Sequence, residues 1–233
     1  MAVAPRKGEE PKDVTADESK QLRRVYDYLC DFAAKAKLEK TREPLLERKS
    51  KILAYKKNPE AVKIVDDHGV ELSPEQVEME LDRIDRECAA ITSRIEEIEN
   101  KPDKKVSARD LQEALAKLGK KVSKKEVEDM IWEVDENLDG AVDWEEFQLM
   151  FARNVKDVTA LEPYRLFNVV QFMMYDKDGG GEVSVDETMH MLYSRYGRDR
   201  LAEEMKALFG DRIAHTGDAT LTFTEYLEAV ERR

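Results

Sequence analysis

Residues Asp135 to Glu146 read Asp-Glu-Asn-Leu-Asp-Gly-Ala-Val-Asp-Trp-Glu-Glu, and their oxygen-bearing side chains recur at the spacing a hard divalent cation demands. Ca²⁺ surrounds itself with about six to eight oxygens, drawn from fixed stations of a twelve-residue loop. Asp135, Asn137 and Asp139 fill positions one, three and five, and Gly140 takes the sharp turn at position six. The carbonyl of Ala141 serves position seven, Asp143 position nine through a water, and Glu146 closes the shell as the bidentate ligand at position twelve. An ordinary acidic turn would use the same residue types but would not keep this register. Leu138, at the solvent-facing position four, reads as a tolerated surface residue.

A second loop runs from Asp176 to Glu187. Asp176, Asp178, the carbonyl of Glu182, Ser184 and Glu187 take positions one, three, seven, nine and twelve, while Gly180 leaves position five without a side chain. One carboxylate fewer, together with three consecutive glycines to order, predicts a weaker site. The expectation is two Ca²⁺ sites, the first tighter.

The register extends to two more stretches. Glu99 to Asp110 keeps a loop-like end but carries Lys101 and Lys104 at positions three and six with Pro102 between, so a cation would meet positive charge. Ala214 to Glu225 has Ala214 and Thr216 at positions one and three, and Glu225 alone cannot hold calcium. Position eight is apolar in all four loops, Val106, Val142, Val183 and Leu221, which predicts short β-bridges between paired loops. Around the loops, Leu111, Leu115 and Leu118, or Phe147 and Phe151, recur at helical spacing. Ser123 with Glu126 and Thr159 with Glu162 are capping boxes expected to open the second and third units, and Gly119 ends the helix before the former. Met130, Met150, Met173, Met174, Met189 and Met191 fall on these helices and read as core residues first. The fold class is all-α.

On these motifs, residues 76–233 resemble the calmodulin and troponin C superfamily of EF-hand proteins. The resemblance implies four hands in two lobes, 76–154 (loop 99–110 degenerate, loop 135–146 competent) and 155–233 (loop 176–187 competent, loop 214–225 degenerate).

The rest of the chain is of another kind. Residues 1–14 are polar and charged and read as a disordered tail, and 15–75 as an N-terminal helical docking region. Thr15 and Glu18 form a capping box before Leu22, Val25, Leu29, Phe32 and Ala36, an amphipathic helix. A second helix is expected around 44–57, after Pro44, with breaks at Asn58-Pro59 and over 66–69. Ser73, Pro74 and Gln76 open a helix carrying Val77, Leu81, Ile84, Cys88, Ile91, Ile95 and Ile98 as a heptad seam. Either the N-terminal helix folds back over this seam as a hairpin, or another protein covers it.

Residues 34–57 hold nine Lys or Arg against three acidic residues, a local charge of +6, whereas the whole chain carries −12. The acidic C-terminal part excludes nucleic acid as its partner, and the basic stretch is read either as a solvated face or as a dock for an acidic surface such as tubulin or an anionic membrane, a polymer surface being preferred to lipid or RNA. No apolar run of transmembrane length and no signal-peptide core occur in the sequence, and Cys30 and Cys88 lie far apart without a disulfide framework. His68, His190 and His215 lack zinc spacing, and no nucleophile or phosphate-loop motif is present. The expectation is a soluble, cytosolic or cytoskeletal protein that is not an enzyme and takes no small-molecule substrate.

Two functional readings follow. In the first, a calcium-binding protein is built into a cytoskeletal, microtubule-based assembly through its helical N-terminal region, and it resembles the EF-hand proteins of ciliary and flagellar axonemes. In the second, it is a diffusible calmodulin-like sensor or the regulatory subunit of a target enzyme, similar to that of calcineurin. A pure buffer leaves the N-terminal helices without a purpose.

Overall fold

A computed structural model of the chain describes residues 13–58, 63–65, 69–157, 159–210 and 219–231. The tail expected at 1–14 lies outside them but for Asp13 and Val14, as do His68, His215 and the chelating half of loop 214–225. Helices dominate, with two pairs of short antiparallel strands. The chain divides into two compact units, one holding the chain up to Phe32 and from Lys104 onward, the other Ala33–Asp103.

The first unit begins with α1 (Ala16–Leu29), opened by the Thr15 and Glu18 capping box. It continues with β1 (Val106–Ser107), α4 (Ala108–Lys117), α5 (Lys124–Trp132), β2 (Ala141–Val142), α6 (Trp144–Lys156) and α7 (Arg165–Tyr175). After these come β3 (Glu182–Ser184), α8 (Val185–Phe209), β4 (Thr220–Thr222) and α9 (Phe223–Glu231). The position-eight residues pair as expected, Val106 with Val142 and Val183 with Leu221. α8 is two helices joined at Gly197, whose φ of 71° is left-handed and needs the freedom of glycine.

Buried aromatics hold this unit together. Phe151 and Phe167 sit 5.2 Å apart, joining α6 to α7, and Phe172 and Phe223 sit 5.0 Å apart, joining α7 to α9. Of the six helical methionines, Met130, Met150, Met173, Met174 and Met191 are buried, while Met189 is exposed.

The second unit is a pair of helices, α2 (Phe32–Lys57) and α3 (Pro74–Glu99). Ile52 on α2 packs with Ile64, Val77 and Ile84, and Leu45, Tyr55, Leu81 and Cys88 join the cluster. The first half of the α3 heptad seam, Val77 to Cys88, is therefore covered within the chain, and by α2, while Ile91, Ile95 and Ile98 are only half-buried.

Three expectations change here. The amphipathic N-terminal helix does not run on to Ala36. It ends at Leu29, and the chain turns at Asp31, whose φ of 52° is left-handed, before α2 begins at Phe32. Pro44 lies inside α2, which starts twelve residues before it, so the second helix is longer than the sequence implied. The Thr159 and Glu162 pair caps nothing: α7 starts at Arg165, and the backbone N–H groups of Thr159, Ala160 and Glu162 donate to the Asp157 carboxylate instead. Glu162 precedes Pro163, and the residue before a proline is pushed out of the helical region, which stops a helix from starting there.

The division expected at residues 75 and 76 also does not match the two units. α1 packs on α4, α6, α7 and α8, whereas α3 belongs with α2. The stripe Leu22, Val25, Tyr26 and Leu29 is almost fully buried there, and each such side chain contributes roughly 1.5–3 kcal/mol.

Candidate metal centres

Each chelating loop is framed by the backbone before any ion is considered. In 135–146 the Asp135 carboxylate accepts from the N–H groups of Asp139 (3.2 Å) and Gly140 (2.8 Å), which folds the loop around position one. Glu146 reaches back across it, its Oε1 accepting from Glu136 (3.0 Å) and Asn137 (3.1 Å) and its Oε2 from Asp143 (2.9 Å). Positions one, three, nine and twelve are thereby gathered, and Asp135 and Glu146 are buried. Asp139, at position five, pairs with the ammonium of Lys105, which raises the Lys105 pKa and lowers that of Asp139 chiefly through that hydrogen bond. The side chain of Ala141 plays no part, since that station uses the carbonyl; its backbone N–H donates to Asp139 Oδ1 at 3.1 Å.

Loop 176–187 repeats the scheme. Asp176 accepts from Gly180 and Gly181, both at 3.0 Å, and Glu187 from Lys177 (3.2 Å) and Ser184 (2.9 Å). Here carboxylate oxygens of Asp176, Asp178 and Glu187 lie within 4.8 Å of one another. Burial pushes the Asp176 carboxyl above its ordinary range. Three converging carboxylates, one of them buried, repel each other unless a cation sits among them, so the donor set fits Ca²⁺. Glu182 pairs with Thr222 through β3 and β4, and its side chain accepts from Thr220, which leaves only its carbonyl as a candidate ligand.

Positions nine and twelve have a second use that sequence reasoning did not assign. Asp143 with Glu146 caps α6 and Ser184 with Glu187 caps α8, each as a reciprocal capping box. Ser107 with Asp110 caps α4 in the same way, and Thr222 with Glu225 makes the same two bonds at the start of α9. The signal, Ser, Thr or Asp followed three residues later by an acid, is present at every loop end. Loops 99–110 and 214–225 thus keep their ends because those ends start helices, whatever has become of their chelating halves.

Two cations at the loops were also not foreseen. Lys105 comes from the degenerate first loop, and the register that sets Val106 against Val142 carries it toward loop 135–146. Arg24 comes from α1 and donates to the carbonyls of Met173 (2.6 Å) and Asp176 (3.2 Å), with no local sequence pattern to announce it.

Comparison with known proteins agrees with this geometry. Residues 102–154 match the model of an EF-hand domain pair. Troponin C, isoform 2A, of Homarus americanus is 31% identical over 116 residues, which cover 49% of this chain and 74% of the relative. The chain belongs to the calmodulin and troponin C superfamily of EF-hand proteins. The probable calcium-binding protein CML25 of Arabidopsis thaliana is also 31% identical, over 124 residues and 53% of this chain, and the chain spans 63% of that relative's length. This EF-hand protein binds Ca²⁺. Among its described residues, no helix is long and apolar enough to cross a membrane.

Proposed function

We propose that the protein is a non-enzymatic, two-site Ca²⁺ sensor that attaches to a protein assembly through the helical pair α2 and α3. The ligands are Asp135, Asn137, Asp139, the Ala141 carbonyl, Asp143 and Glu146 in one loop, and Asp176, Asp178, the Glu182 carbonyl, Ser184 and Glu187 in the other. The observation that carries the reading is the convergence of the Asp176, Asp178 and Glu187 carboxylates in one loop, together with the burial of Asp135 and Glu146 at positions one and twelve of the other. Site 135–146 is the tighter, because Asp139 supplies an oxygen where Gly180 supplies none. The pair of Lys105 with Asp139 is solvent-screened and weak, so Ca²⁺ displaces it readily.

The attachment we propose is to an acidic polymer of the cytoskeleton, microtubules of a cilium or flagellum being the leading case. Lys37, Lys40, Lys51 and Lys57 support it, as exposed cations on a helix otherwise committed to packing on α3. Detergent-resistant, salt-sensitive retention in cell fractions, lost when Lys37, Lys40 and Lys51 are changed to Glu in the full chain, is the expected result. A freely soluble pool would count against it, as would retention indifferent to those charges.

The second reading, a diffusible sensor or regulatory subunit, is favoured by a different observation. Arg42, Arg48, Lys49 and Lys56 are paired with Glu39, Glu80, Asp85 and Glu78, so part of the basic charge is neutralised within the same unit. Lys and Arg committed in this way attract an acidic lattice less.

A further inference from the structure

α1 is fastened to both helices that flank loop 176–187. Toward its C-terminal end, Arg24 binds the carbonyls of Met173 and Asp176, the last turn and cap of α7, where a cation is favoured by the helix dipole. Toward its N-terminal end, Glu18 receives two hydrogen bonds from Arg195 on α8 (2.5 and 2.7 Å), with only 6% and 9% of the two side chains exposed. A buried pair of this kind is strongly destabilised when one member loses the other. Any change of angle between α7 and α8 must therefore strain one of these attachments.

The charge of Arg24 lies close to the ion-binding groups themselves. With Asp176 and Gly179 to Gly181 it lines a cavity of about 70 Å³, on the side of the loop where Gly180 provides no position-five oxygen. Burial lowers its pKa, opposed by the carboxylates of Asp176 and Glu187, and the guanidinium remains charged throughout. A fixed positive charge beside a divalent site repels the ion that the site binds.

We propose that Arg24 is an affinity-determining residue of loop 176–187: its charge lowers Ca²⁺ affinity there, and Ca²⁺ reciprocally loosens α1 from α7 and α8. The coupling is mutual because both effects are one interaction free energy. It rests on the reading that this loop binds Ca²⁺, and it makes α1 the element through which occupancy of the loop is felt in the rest of the chain.

The test uses the full chain with Glu146→Gln, which silences the other loop while keeping a side chain able to cap α6. Calorimetric Ca²⁺ titrations compare Arg24 with Arg24→Met and Arg24→Lys, and amide exchange follows residues 16–29 with and without Ca²⁺. We expect Arg24→Met to raise affinity about five-fold and Arg24→Lys to stay within about two-fold of the parent, as for a charge effect in a partly screened site. We also expect Ca²⁺ to speed exchange in α1 of the parent, a readout that stands even where the Met variant folds poorly. Trp144, whose ring lies 5.1 Å from Tyr26 and under Arg23, reports in a Trp132→Phe background whether α1 is still docked. Equal or weaker affinity in a docked Arg24→Met protein overturns the proposal, as does unchanged or slower α1 exchange on binding. Absence of any Ca²⁺ binding in all three proteins would instead overturn the reading of the loop on which the proposal stands.

Discussion

Position four of both chelating loops is left-handed, with φ of 59° at Leu138 and 73° at Gly179. Glycine adopts this region without cost, whereas for an ordinary L-residue it costs roughly 1–2 kcal/mol. Leu138, 73% exposed, recovers little of that by burial. Leu138→Asn should therefore stabilise the protein by about 0.5–1 kcal/mol, since Asn tolerates this conformation, and chemical denaturation measures it. The run of three glycines has a parallel consequence. A Cβ at Gly180 would meet Asp178 Oδ1 at 2.9 Å, the movable end of a side chain, so Gly180→Asp is accommodated by a small shift of that carboxylate that keeps it at position three. Adding the missing position-five carboxylate should tighten loop 176–187 about ten-fold by calorimetry, and no gain would show that oxygen count does not limit this site. The two loops were legible because their register is local, contained within twelve residues, and the structure closes each of them on its first and twelfth residues. Lys105 and Arg24 were not, since they reach the loops from 34 and 152 residues away and fold topology alone brings them there.

Among the elements, local signals were read correctly where nothing nearby opposed them. Thr15 with Glu18, Ser73 with Gln76 and Ser123 with Glu126 each open the helix that they should. The Thr159 and Glu162 pair has the same spelling but is followed by Pro163, and the proline decides. Between α1 and α2 the apolar periodicity continues through a bend at Asp31 that it gives no hint of, because Leu29 and Phe32 are both buried on either side of it. The heptad stripe of α3 was clear, but a stripe does not name its cover. Ile84 is fully buried against α2, so Ile84→Asp should cost several kcal/mol, while Glu96→Gln, off the stripe, should cost almost nothing. Thermal melts of the two variants decide this, and equal melting would mean that α3 leaves α2 in solution.

At the scale of the whole molecule, the Ca²⁺ loops and α1 lie in one unit and the helical pair in the other. Helical class, strand pairing and both loops could be read from the sequence, but the grouping of α1 with the hands could not, since it depends on which of two apolar surfaces accepts a stripe that suits either. Ligand binding stabilises the folded unit that holds the ligand, by RT ln(1 + [L]/Kd). Chelating Ca²⁺ should accordingly weaken amide protection over 104–231 by about 2–4 kcal/mol at the ion concentrations that saturate the sites, and leave that of α2 and α3 nearly unchanged. The central claim, that 135–146 and 176–187 are the two Ca²⁺ sites and that the first is tighter, is tested most directly by calorimetric titration of the full chain beside Glu146→Gln and Glu187→Gln. Two unequal sites are expected, with Glu146→Gln abolishing the tighter and Glu187→Gln the weaker. Four sites, none, or a titration that neither substitution alters would contradict it.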